Sequence, residues 1–275
     1  MAIGSSGSSL SSISLSILRN TDKAEKKLSG SFEKLSSGLR INRAVDDAAG
    51  LAVAESLKAS IGKIDQAARN VQDVVSFTQI ADGALSQVNN LLERKGELAQ
   101  QSANGTLSDD QRQTLELENQ ALTQEIERIV SSTEFNGINV FQGSVTGQVG
   151  TDSSANSQLT VGGTDISSLV SSLSSQNIST QAGARASLES VQSFSSEISQ
   201  RRGQIGASQS RLDSVSSTLE DRKLGEAQAL SRIRDADVAT EVSNLVKNQI
   251  LAQSGPSLLA QAGRLNADNV KALLG

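Results

Sequence analysis

Apolar residues recur at helical spacings through most of this chain. Between 13 and 39 they fall at Ile13, Ile17, Ala24, Leu28, Phe32, Leu35 and Leu39, mostly three, four or seven apart, which predicts a helix with one narrow apolar face. From Val71 the series Val71, Val74, Thr78, Ala81, Leu85, Val88, Leu92 and then Ala99 holds a coiled-coil pattern over four heptads. It stops at Asn104-Gly105-Thr106, a predicted turn, and resumes after Ser108-Asp109-Asp110 as Leu115, Leu122, Ile126 and Ile129. Helices joined by so short a loop run antiparallel.

Asn136-Gly137 is the expected end of that helix. Beyond it Ile138, Val140, Phe141, Val145, Val149, Leu159 and Val161 sit among Gly, Ser, Thr and Asn, as short strands and turns do. The stretch at about 138–184 therefore reads as a small surface excursion with hairpin content, its Ser and Thr open to modification, and not as a second core. Helical periodicity returns near Ala184 with Leu188, Val191, Ile198, Ile205, Leu212, Val215 and Leu219, one long helix to Ile233. The final segment, 236–275, has a wider apolar face: Val238, Val242, Leu245, Val246, Ile250, Leu251, Leu258, Leu259, Ala262 and Leu265. Its expected neighbour is the N-terminal helix. The fold class is mainly α: a long-helix coiled-coil bundle with a small β-hairpin region and paired N- and C-terminal helices.

Between 42 and 50 the pattern breaks at a joint. Asp46 and Asp47 read as acids in the first turn of a restarting helix, with Arg40 and Arg43 placed to form ion pairs that pin it.

Composition narrows the picture. Only 2% of residues are aromatic and Pro256 is the single proline, so burial falls to Leu, Ile, Val and Ala in thin seams and long helices go unbroken. A formal charge of -5 argues against nucleic-acid binding. With no Cys and no His, thiolate chemistry and the usual zinc sites are absent, and no catalytic residue, metal or cofactor is expected. The many serines have neither an activating histidine nor a G-x-S-x-G elbow, and the pairs Asp46-Asp47 and Asp109-Asp110 read as helix caps. The start, MAIGSSGSSL, has no basic and apolar signal regions, and no apolar stretch is long enough for membrane insertion. The chain reads as structural and not as an enzyme.

Each terminal strip needs a partner, because an isolated helix is marginal in water. The broad C-terminal face exceeds what one narrow partner covers, and leaving several aliphatics exposed forfeits about 1.5 to 3 kcal/mol for each that full burial would supply. Copies of the chain are the natural cover. The expected assembly seam is Ile13, Ile17, Leu28, Leu35, Val242, Leu245, Val246, Ile250, Leu258 and Leu259. The plainer alternative is a monomeric or dimeric bundle in which these stripes form the core.

Four segments carry a family resemblance. LSSGLRINRAVDDAAG at 35–50 closely resembles the N-terminal signature of bacterial flagellins. The stretch 81–104 with GALSQVNNLLERKGELAQQSAN, TEFNGINV at 133–140, and RIRDADVATEVSNLVKNQILAQSGPSLLAQA at 232–262 are similar to further regions of that family. The resemblance implies an extracellular subunit of the flagellar filament, a homopolymer serving swimming motility. It also implies export through the flagellar type III apparatus with a chaperone, and contacts with the filament cap and hook-junction proteins. It places 1–44 and 236–275 in the inner D0 coiled coil and 45–235 in D1, without bulky outer domains. A hook–filament junction protein of the same family is the alternative. Arg94, Leu98 and Glu118 match the positions that Toll-like receptor 5 reads, while Glu93, Lys95 and Gly96 depart from the family's usual Gln, Val and Arg. The opening MAIGSSGSSLSSIS departs too.

Overall fold

The computed structural model describes the backbone of residues 4–162 and 165–274, and the side chains of residues 12–162, 165–264 and 267. Leu265, expected on the C-terminal apolar face, lies outside the described side chains. The described elements are six helices, α1 (Gly4–Ser37), α2 (Ala48–Ser102), α3 (Asp109–Ser132), α4 (Ser167–Ser174), α5 (Gln181–Arg234) and α6 (Val238–Leu274), and four short strands, β1 (Glu134–Phe135), β2 (Ile138–Asn139), β3 (Val145–Gln148) and β4 (Gln158–Val161). The chain divides into two compact units, residues 60–224 and residues 1–59 with 225–275.

The first unit is built on heptads. On α2 the buried positions Ile64, Ala67, Val71, Val74, Thr78, Ala81, Leu85, Val88, Leu92, Lys95, Ala99 and Ser102 alternate by three and four without a break. On α5, Ala184, Val191, Ile198, Ile205, Leu212 and Leu219 are buried at strict intervals of seven. This is the spacing that keeps a seam facing its partner along a wound pair of helices.

The loop before α3 closes with a reciprocal cap. The Ser108 hydroxyl accepts from the Gln111 amide at 3.4 Å, and the Gln111 side chain accepts from the Ser108 amide at 2.9 Å. Helix α3 ends at Ser132, four residues before the expected Asn136-Gly137. Those two residues are instead the tip of a two-residue hairpin joining β1 to β2, with φ of 52° and 75°. Both central residues of such a turn need positive φ, which Asn and Gly tolerate.

The excursion holds a second hairpin, β3 with β4, and then α4, a helix that the Ser-rich sequence did not announce. Both fold down onto the long helices. Val149, Leu159 and Val161 join Ile64, Val71, Val74 and Leu212 in one cluster, and Ile166, Leu169 and Leu173 join Leu85, Leu92 and Ile198 in another. The segment extends the existing core and adds no separate one. Gly147 lets β3 approach α2, since a Cβ there would overlap Val74.

Half of the expected α3 seam is replaced. Ile126 and Ile129 are buried, but Leu115 and Leu122 are only half-buried, and the first four turns bring Arg112, Glu116, Asn119 and Thr123 inward. The physical reason is a set of polar partners waiting on α2 and on the loop before α5, taken up below.

Candidate assembly seam and joint

In the second unit α1 packs against α6. The ends near Leu39 and Asp235 lie side by side while Thr21 lies against Gly255, so the two helices run antiparallel. The shared face uses Ile17, Thr21, Ala24, Leu28, Ser31 and Leu35 on α1, and Leu245, Asn248, Ala252, Gly255 and Leu259 on α6, all buried or half-buried and spaced by threes and fours. Its fully buried members are small or polar: Ala24, Ser31, Asn248 and Gly255. Small residues let the two backbones come close, and Gly255 shows it, because a Cβ there would overlap the Thr21 hydroxyl and stand 3.1 Å from Thr21 Cβ.

The ten residues expected on one seam fall into two groups. Ile17, Leu28, Leu35, Leu245 and Leu259 line the α1–α6 contact. Ile13, Val242, Val246, Ile250 and Leu258 are roughly half exposed, together with Leu15, Leu18, Phe32, Val238 and Leu251; of these, Leu251 and Leu258 rim the groove that α6 forms with Ile17, Thr21 and Ala24 of α1. A single chain leaves this second group in water. On α6, Val238, Val242, Val246 and Ile250 stand at intervals of four, forming a row along the outer surface.

The joint is built differently from the expected Arg–Asp pairing. Gly38, at φ +72°, ends α1 in the left-handed conformation that favours glycine. Its carbonyl accepts from the Ala236 amide at 2.9 Å, and the Arg40 amide donates to the Arg234 carbonyl at 2.6 Å. The Arg40 guanidinium turns to the end of α5, donating to the carbonyls of Ile233 at 2.6 Å and Arg232 at 3.4 Å. Arg43 pairs with Glu33 at 2.8 Å. The two acids take backbone amides. Asp46 accepts from Asn42 and Arg43, and Asp47 accepts from Gly50 at 2.9 Å and so caps α2. Amides at a chain reversal are fixed donors, and a short acid two or three residues away reaches them more easily than a long arginine folds back. The Arg43 and Asn42 amides, with Lys34 and Arg43 charges adding, hold the Asp46 carboxyl below its ordinary range.

Asp237 repeats the device at the start of α6, accepting from the Ala239 and Thr240 amides and the Thr240 hydroxyl. Two tight spots fix the turn: Ile41 is buried, and a Cβ on Gly50 would overlap Asp47 and stand 2.8 Å from Ile41 Cδ1. Arg234 reaches Glu55 at 3.0 Å.

In the other unit, Arg94 lies on the surface bonded to Glu118 at 2.8 Å and to Glu97 at 2.8 Å. Leu98, expected beside them on a receptor-facing surface, is buried with Ala99, Ile178 and Ala184. It belongs to a row beside the three-four series, Phe77, Ala84, Leu91 and Leu98 at intervals of seven, that also packs inward. One feature escaped the sequence reading altogether: Lys95, the residue between Leu92 and Ala99 in the three-four series, is fully buried. The signal was there, since the series that picks out Leu92 also passes through 95.

Among the described residues no three His, Cys, Asp or Glu side chains gather as a metal site, and no helix is long and apolar enough to cross a membrane.

Residues 9–146 match the family described as the bacterial flagellin N-terminal helical region, and residues 188–274 match the bacterial flagellin C-terminal helical region. The chain is similar to a flagellin of Halalkalibacterium halodurans, 39% identical over 236 residues, 85% of this chain and 87% of the relative. It is also similar to a 30.7 kDa flagellar filament core protein of Treponema maltophilum, 36% identical over 267 residues, 90% of this chain and 92% of the relative. Among solved structures, a Bacillus cereus flagellin superposes with a TM-score of 0.50 at 29% identity, covering 55% of this chain and 88% of that one.

Proposed function

Because the chain belongs to the bacterial flagellin family and builds the extracellular flagellar filament from many copies of itself, we propose that the α1–α6 pair is the element through which those copies join. The observation that carries this is the row Val238, Val242, Val246 and Ile250, left in water on a helix whose other face is already covered by α1. Completing the burial of each would contribute about 1 kcal/mol, half of the usual value for a whole aliphatic side chain. Ile13, Leu15 and Leu18 supply an outward set on α1 for a neighbour. The relatives' names, flagellin and filament core protein, favour the filament over the hook junction.

On this reading residues 1–44 and 236–275 act as the inner D0 element and 45–235 as D1, with the capped joint at Arg40, Arg43, Asp46 and Asp47 closing the turn between the end of α1 and the first turn of α2. The function is structural, without catalysis. Export as an unfolded chain with a chaperone, and contacts with cap and hook-junction proteins, complete the proposal. An innate receptor of the Toll-like receptor 5 kind would meet Arg94 and Glu118 as one bonded surface unit, with Leu98 acting from beneath.

The test is the double substitution Val246→Asp with Ile250→Asp in the full chain. Filaments are depolymerised by heat, cooled and seeded, and growth is followed by electron microscopy. Loss of growth with helix content unchanged by circular dichroism is the expected result. Normal growth would show that the outward row is not the joining surface.

A further inference from the structure

The interior of the first unit holds a buried ionic network that filament building does not call for. Lys95 is fully buried, and its ammonium donates to Asn119 Oδ1 at 2.7 Å, to Thr123 Oγ1 at 2.5 Å and to the Asn119 carbonyl at 3.3 Å. All three of its N–H groups therefore have acceptors. Asn119 passes the connection on, its amide donating to Glu116 Oε2 at 3.2 Å. That same oxygen accepts from the Ile178 amide at 2.7 Å, while the Ile178 carbonyl accepts from Ser102 at 2.5 Å. Both polar groups of one loop residue are thus held by α2 and α3, and Ile178 itself is buried.

We propose that Lys95 is a pH-responsive latch: the fold that joins α2, α3 and the loop before α5 gains stability once alkali removes the ammonium's proton. Its removal gives up the weakest of the three donations, at 3.3 Å to the Asn119 carbonyl, and ends the cost of holding a charge away from water. A charge in a dry site forfeits its hydration, whereas a neutral amine in the same place still donates to Asn119 and Thr123 at far smaller cost. Glu116 faces Lys95 from α3 and opposes the loss of the proton, with Asn119 standing between them. Arg112, one turn earlier on α3, is spent on the carbonyls of Ser102 and Asn104. The loop Ser175–Thr180 carries no charged residue, and Arg185 and Glu189 at the start of α5 are exposed. On α2, Arg94 and Glu97 pair outward. Burial prevails and holds the Lys95 ammonium at about 8, below its ordinary 10.5.

The sign follows from proton counting. Between those two values the unfolded chain binds the proton and the folded chain does not, so stability rises with pH across this window and is flat below it. The unfolding constant of the depolymerised full chain should fall on the order of 100-fold from pH 8 to pH 10.5 relative to Lys95→Gln, which keeps a neutral donor. Parallel pH profiles for the two chains would overturn the latch. Should the variant fail to fold, a titration of the native protein with lysines labelled at Cε and Nζ still decides. A buried lysine resonance moving near pH 8 supports the proposal, and all lysines moving above pH 10 would refute it.

Discussion

Gly255→Ala is a one-carbon probe of the contact on which assembly is proposed to depend. The added Cβ meets three atoms of Thr21. The hydroxyl could rotate away only by giving up its 3.0 Å bond to the Ile17 carbonyl, and the Cβ and Cγ2 atoms, at 3.1 and 3.2 Å, stay in the way. Overpacking of this kind costs about 1–3 kcal/mol, and alanine returns up to about 1 kcal/mol as the better helix former. A net loss of about 1–2 kcal/mol per copy corresponds to about a 5- to 30-fold higher critical concentration. Sedimentation of seeded filaments over a concentration series reads this directly. Adding Thr21→Ala removes two of the three clashing atoms, so the double variant should recover most of the loss. If Gly255→Ala assembles like the native chain, or if Thr21→Ala gives no recovery, the two helices do not approach as described.

Removing residues 236–275 should abolish seeded growth while amide exchange in residues 60–224 stays protected; a shortened chain that still polymerises would show that α6 is not the joining element. Ser108→Ala should lower the stability of the first unit by about 1 kcal/mol through loss of the cap on α3, measured by urea unfolding. Gly203 and Gly206 are exposed in the middle of α5 with open space where a Cβ would go, so each Gly→Ala change should raise the thermal midpoint, by about 1 kcal/mol in stability. The hydroxyls of Ser157 and Ser154 and the Ser154 amide hold the Asp152 carboxyl down at about 2, below its ordinary 3.8. The order this lends to the turn after β3 is therefore present above pH 3.8 and lost as pH falls towards 2, and amide exchange at Ser154 should show that loss in the native chain but not in Asp152→Asn.

The long helices were legible because their burial repeats faithfully and little else competes. Spacing alone puts Val71 to Leu92 on α2 and Val191 to Leu219 on α5 along the buried seam, where the structure has them. Where polar side chains do core work, the pattern misled. Lys95 falls on the three-four series, but nothing in a hydropathy pattern shows that Lys95, Glu116 and Asn119 each have a partner on another element. Helix α4 is illegible for a related reason: its fully buried residues are Leu169 and Leu173, with Val170 partly buried beside them, set among serines whose hydroxyls bond back to carbonyls of the same helix, as Ser171 and Ser172 do. At the joint the residues were found and their partners were not. Which amide an aspartate reaches depends on how the chain reverses at Gly38 and Ile41, and spacing does not encode that.

The strict sevens on α5 have a mechanical meaning. A straight α-helix would drift by about 20° with every heptad, so five heptads would carry Leu219 about 100° away from the side that buries Ala184. Both are buried, so the rod answers by coiling with a left-handed sense. Torque that tightens this coil meets packed side chains, while torque of the other sign has first to unwind it. Each copy thus carries a handed twist along α5, set by the seven-residue spacing of its buried side chains.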